Sequence, residues 1–155
     1  MYSNDLICDV LEYIDTFLCT KITINDLEKK FYYNRYYIMK LFKKEIGITI
    51  FDYINKLRIY KSITILDNTN NFLIKTAINS GFYSLEYFSE IFKKEVGISP
   101  KEYKKVLNNK YIYNDKIFLA ITNITNIKKI IDYTNKYKQN RKRTITPVKK
   151  ISIFG

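Results

Sequence analysis

Two short runs hold the side chains best suited to chemistry. Asn34, Arg35, Tyr36, Met39, Lys40, Lys43 and Lys44 recur at three- and four-residue steps, so on a helix they share one surface. Arg35 and Lys40 can donate to guanine O6 and N7 or to phosphate, Tyr36 and Met39 suit a thymine methyl, and Lys43 and Lys44 suit a nucleic-acid backbone. Fifty residues later Ser84, Leu85, Glu86, Ser89, Lys93 and Lys94 take the corresponding places, with Glu90 where Lys40 stood. Glu86 can accept from cytosine N4, whereas Glu90 beside a phosphate would repel it. The pattern fits recognition of a nucleic acid. Its plain alternative is a solvated helix face.

Other chemistry is poorly supplied. The 155 residues contain no histidine and only two cysteines, Cys8 and Cys19. The usual general base, the His-assisted nucleophile and His or Cys zinc ligands are therefore missing. The expectation is a protein that is not an enzyme and needs no cofactor or metal. Cys8 and Cys19 read as small buried apolar residues in one helix, about 16 Å apart along its axis and too distant to bridge. No apolar run approaches the roughly 18 residues of a membrane span, and the start lacks a signal-peptide layout, so a cytoplasmic protein with no membrane partner is expected.

The formal charge of +12 is unevenly placed. Residues 1–103 carry 14 Lys and Arg against 13 Asp and Glu, net +1, while the remainder carries 13 against 2, net +11. Net charge thus speaks for the tail alone.

The elements that must position the two runs are set by an internal repeat. Leu41-Phe42-Lys43-Lys44-Glu45-Ile46-Gly47-Ile48-Thr49 recurs at an offset of 50 as Ile91-Phe92-Lys93-Lys94-Glu95-Val96-Gly97-Ile98-Ser99. The register continues without a gap through Tyr33/Tyr83, Asn34/Ser84, Tyr37/Tyr87 and Tyr53/Tyr103, of which Tyr33, Tyr37, Tyr53, Tyr87 and Tyr103 are expected at inner positions. Two copies of a 50-residue unit fit a duplicated three-helix module better than a solenoid. Thr23 with Asp26 predicts a short helix to about Phe31, and Asn34 caps the next, which Gly47 ends. Thr49 with Asp52 opens a long helix to about Asn68. In the second unit Asn71, Ser84 and Ser99-Pro100-Lys101-Glu102 are the predicted starts, with Gly81 and Gly97 as stops. An amphipathic helix over Leu6 to Leu18 precedes the first unit.

Ala77, Gly81-Phe82-Tyr83-Ser84, Tyr87-Phe88-Ser89, Phe92-Lys93-Lys94, Gly97, Ser99-Pro100 and Tyr103 follow a known signature, and Leu27, Tyr33-Asn34, Lys40 to Glu45 and Gly47 echo it. In these positions the chain resembles the DNA-binding domain of the AraC/XylS family, from about residue 6 to 105. The resemblance implies an all-α fold of two tandem three-helix helix-turn-helix units joined by a long linker helix. It adds Arg58, which follows Leu57 where the family's linker helix has Leu-Arg, to the candidate DNA contacts. Glu90 departs from the family, which usually has a basic residue there. The implied function is a sequence-specific transcription regulator, by analogy an activator, with double-stranded DNA and RNA polymerase as partners. A non-catalytic protein- or RNA-binding module is the alternative.

The expected division is a DNA-binding domain over 1–108 and a basic extension over 109–155. In the extension, residues 111–121 and 144–154 suggest strands, and Ile124, Ile127 and Ile131 a helical stripe, so an α+β appendage is one expectation for it. Its basic cluster, Lys136 to Arg143, suits a phosphate-binding arm, a dimerisation or effector-binding remnant, or a solvated appendage.

Overall fold

In the computed structural model the backbone is described for residues 3–109 and 114–154 and the side chains for 5–109 and 114–141. Eight helices are described: α1 (Ser3–Phe17), α2 (Ile24–Phe31), α3 (Arg35–Ile46), α4 (Ile50–Asn68), α5 (Leu73–Asn79), α6 (Leu85–Val96), α7 (Pro100–Asn108) and α8 (Asp115–Phe154). The fold is all-α, as expected.

The helix boundaries have local causes. Thr23 Oγ1 accepts from Asp26 N while Asp26 Oδ2 accepts from Thr23 N, a reciprocal cap on α2. Ser99 and Glu102 do the same for α7, with Pro100 in the first turn. Gly47 and Gly97 end α3 and α6 in the left-handed region. At α5 the structure corrects the sequence reading: Phe72, not Asn71, is the cap, and no side chain caps it. The Asn71 carbonyl instead accepts from Lys104 Nζ at 2.8 Å.

The possible α+β extension is also corrected. Residues 115–121 and 144–154 are helical parts of α8, and no strand occurs among the described residues; 111–113 lie outside them. Ile-rich sequence satisfies period two and period 3.6 alike, and burial decides between them. Ile117, Ala120, Ile127 and Thr134 are the buried positions, three or seven residues apart on one helical stripe.

The chain forms two compact units. The first comprises α1, α2, α3 and the part of α8 from Ile130 onward; the second comprises Leu18–Lys21, nearly all of α4, α5 to α7 and the part of α8 up to Lys129. In the first, α1 packs on α3, and Leu6, Ile7, Val10, Leu11, Ile14, Leu27, Ile38 and Phe42 are fully buried. In the second, Phe82, Phe88, Phe92 and Tyr103 make successive ring contacts with centroids 5.3, 5.6 and 5.7 Å apart. These tilted and edge contacts add attraction to the burial of large rings.

Cys8 is buried, and burial pushes its thiol up. Cys19 is a correction: α1 ends at Phe17, and Cys19 is exposed beyond it, its Sγ accepting from Lys61 Nζ at 2.7 Å. Among the described residues no helix is long and apolar enough to cross a membrane, and no cluster of His, Cys, Asp or Glu could hold a metal ion.

Candidate nucleic-acid interface

In the first unit α3 turns Ile38, Leu41 and Phe42 inward. The opposite side therefore carries Tyr36, Met39, Lys40, Lys43 and Lys44, all exposed, with Tyr36 at 74%. Asn34 accepts from Tyr36 N at 2.9 Å and so starts the helix, placing Tyr36 and Met39 in its first half. One face thus combines apolar and cationic groups without an acidic side chain. It can read base edges and phosphates together.

Arg35 is placed differently. Its Nε and Nη2 donate to Glu28 Oε2 at 3.1 and 2.8 Å, Nη2 also donates to Asn25 Oδ1 at 2.7 Å, and its backbone N–H donates to Glu28 Oε1 at 2.7 Å. These bonds hold the Glu28 carboxyl below its ordinary value, the guanidinium being the larger cause and the backbone N–H the next. The Arg35 fork points back to α2 and ties the start of α3 to it.

Arg58 is likewise turned to the backbone. Nε donates to the Leu18 carbonyl at 2.9 Å and Nη2 to the Thr20 carbonyl at 2.8 Å. Gly81 makes room there: a Cβ on it would stand 2.5 Å from the Leu18 oxygen and 2.9 Å from Arg58 Nε.

In the second unit α6 buries Phe88, Ile91, Phe92 and Val96, and Ser84 accepts from Tyr87 N at 3.0 Å. Glu86, Glu90, Lys93 and Lys94 are exposed, while Leu85 and Ser89 are half-buried. Lys56 of α4 pairs with Glu95 at the end of α6. This face carries two acids toward its start and two lysines toward its end, unlike its counterpart on α3.

Two tyrosines depart from the inner placement. Tyr53 is buried and Tyr103 and Tyr33 are half-buried, but Tyr37 and Tyr87 are each 46% exposed. Tyr37 stacks on Tyr33 with centroids 5.5 Å apart. Sequence reasoning missed Glu28 and Asn25 because they meet Arg35 across a turn, where no helical period links them.

A family model described as a helix-turn-helix domain matches residues 27–105. The chain belongs to the AraC/XylS family. Members of that family are DNA-binding transcription regulators. Over 105 residues the chain is 33% identical to an uncharacterized response regulatory protein of Staphylococcus epidermidis, covering 68% of this chain and 41% of that protein. Over 66 residues it is 35% identical to the transcriptional regulatory protein HptR of Staphylococcus aureus, covering 43% and 26%. It therefore spans less than half the length of both relatives. Among solved structures, a protein of unknown function from Listeria innocua is similar at 33% identity and a TM-score of 0.60, covering 63% of this chain and 93% of that one. The C-terminal domain of the two-component response regulator yesN from Fusobacterium nucleatum gives 29% and 0.59, covering 61% and 93%. The DNA-binding domain of AdpA, solved with a target DNA, shares the fold at 17% identity, with a TM-score of 0.63 and coverage of 68% and 95%.

Proposed function

We propose that this chain binds DNA sequence-specifically as a transcription regulator, with α3 and α6 as recognition helices in adjacent major grooves of an asymmetric site. The observation that carries this reading is the exposed face of α3, where Tyr36, Met39, Lys40 and Lys43 stand on a helix capped at both ends. Family membership supplies the context, and the AdpA domain, similar in fold, was solved on its target DNA.

Lys40 and Lys43 donate to guanine or phosphate, Tyr36 and Met39 meet thymine methyls, and Lys44, Lys93 and Lys94 meet the backbone. Asn34 and Ser84 cap through oxygen and retain donors for phosphate. Glu86 accepts from cytosine, and Leu85 and Ser89 line the same groove. Arg35 and Arg58 act as positioning residues, since their forks are directed to Glu28 and to the Leu18 and Thr20 carbonyls. The 19-residue α4 is about 28 Å long, comparable to one DNA turn of roughly 34 Å, which suits one chain to two successive grooves. Because the duplication is tandem, the site has no dyad. Residues 1–108 make the DNA contacts, and the whole protein works through RNA polymerase.

Selection from random duplexes of about two helical turns tests this. The expected result is one enriched, non-palindromic motif whose α3 half is the more strongly specified. Recovery of no enriched motif at physiological salt would overturn the reading.

A further inference from the structure

The α8 helix lies beyond residue 105, where the family match ends. Two of its polar side chains, Tyr133 and Asn123, reach the last turns of α3 and α6. In the first unit Tyr133 Oη donates to the Glu45 carbonyl at 3.1 Å, and Tyr137 Oη donates to Glu45 Oε2 at 3.4 Å. Burial first, and then Glu45, push the Tyr137 hydroxyl well above its ordinary range. In the second unit Asn123 Nδ2 donates to the Val96 carbonyl at 2.9 Å. A Cβ on Gly97 would lie 3.3 Å from the same nitrogen and 3.4 Å from Leu119 Cδ2, so α8 comes close to the end of α6.

Glu45 and Val96 occupy the last turns of α3 and α6, one position apart in the repeat register. Carbonyls in a last turn have no amide within their own helix to bond. Twice, in separate units, α8 supplies a donor to such a carbonyl of a recognition helix.

Two basic residues of α8, Lys138 and Arg141, face protein as well. Lys138 pairs with Asp15. Arg141 Nε rests 2.6 Å from Asp5 Oδ1 as an ion contact rather than an aligned hydrogen bond, and Nη1 donates to the Asp5 carbonyl at 3.0 Å and to Asp9 Oδ1 at 3.3 Å. Lys142 and Arg143 have side chains outside the described residues. The two described cations nearest α1 are thus occupied by its acidic face, which weighs against a phosphate-binding arm.

We propose that α8 is a positioning element for DNA reading, which steadies the C-terminal turn of α3 through Tyr133 and that of α6 through Asn123 without touching DNA. This rests on the DNA-reading proposal above. Tyr133→Phe removes one hydroxyl from a half-exposed ring, and Asn123→Leu removes one donor at similar volume, so both keep the fold.

Two measurements on the full chain decide it. Amide hydrogen exchange without DNA should quicken in the last turn of α3 for Tyr133→Phe and of α6 for Asn123→Leu; unchanged exchange in both overturns the proposal. This arm needs no DNA, so it stands even if no motif is selected. With a selected duplex, each variant should lower the ratio of specific to scrambled affinity about threefold to tenfold, with the slope of log affinity against log salt unchanged. As the opposing test, Lys128, Lys129 and Lys136, all exposed, are replaced together by Gln. An unchanged salt slope supports positioning, whereas a slope reduced by roughly one per lysine makes α8 a phosphate-binding arm and overturns it.

Discussion

Glu28 holds Arg35 twice, accepting the backbone N–H through one carboxylate oxygen at 2.7 Å and the guanidinium through the other at 2.8 Å. The carboxylate thereby satisfies a first-turn amide of α3 and sits near the positive end of its dipole. At the matching positions of the second unit stand Ile78 and Leu85, so α6 starts without this pairing.

A pH dependence follows. Arg35 holds the folded Glu28 carboxyl below the ordinary 4.5, and the Ser99 N–H, followed by its hydroxyl, does the same for Glu102. The unfolded chain therefore takes up these protons more readily. The stabilisation is complete above the ordinary value and is lost as pH falls through the lowered ones. The urea midpoint should drop from about pH 5 to about pH 3, and Glu28→Gln should flatten that drop. An equally steep fall in the variant means the pairing contributes nothing.

Two glycines separate backbone conformation from crowding. Gly47 and Gly81 both have φ above +90°, but a Cβ on Gly47 meets nothing within 4 Å, whereas one on Gly81 stands 2.5 Å from the Leu18 oxygen. Gly47→Ala should cost about 1 kcal/mol, the left-handed penalty alone. Gly81→Ala adds a backbone clash and should cost at least about 2 kcal/mol more. Chemical denaturation measures both, and equal losses would show that the second unit relaxes around the added methyl.

Arg58 offers a sharp choice between two roles. Lysine cannot reproduce the fork that reaches both the Leu18 and Thr20 carbonyls. Arg58→Lys should therefore destabilise by about 1.5–3 kcal/mol while leaving the salt slope of DNA binding intact. A stable variant with a shallower slope would return Arg58 to the DNA contacts.

The unequal recognition faces can be ranked by binding. Lys40→Ala should weaken the selected duplex by about 1–3 kcal/mol, the range of a base contact. Glu90→Gln should instead tighten binding to any duplex, because an exposed carboxylate no longer opposes phosphates. Titration of both variants against selected and scrambled duplexes checks this; equal losses would mean that neither helix dominates.

What the sequence made legible is local. The Thr23–Asp26 and Ser99–Glu102 caps, the terminal glycines and the apolar stripes of α3 and α6 depend on residues within one or two turns, and they are found where expected. Pairings between separate elements were hidden. The partners of Arg35 and Arg58, Glu28 and the Leu18 and Thr20 carbonyls, leave no mark in the sequence, where Arg35 stands out only by its helix position and Arg58 only by the family resemblance. Tyr37 and Tyr87 share their inner register with Tyr53 yet lie half open, since the repeat fixes helix phase and not the depth of a long ring. In α8 the abundant isoleucines suited a strand as well as a helix until Ile117, Ala120 and Ile127 proved buried.

The partition of α8 also governs when each unit can close. The second unit draws on Leu18–Lys21 and a continuous stretch ending at Lys129, whereas the first joins Asp5 to Arg141, 136 residues apart, and Glu45 to Tyr133, 88 apart. Contacts of such separation carry a high loop-closure cost and form late. During synthesis, where folding proceeds from the N-terminus at about 5–20 residues per second, α1 to α3 emerge first yet finish last. The helix with the more basic face, α3, thus gains its partners on α8 only after residues 133–141 have been made.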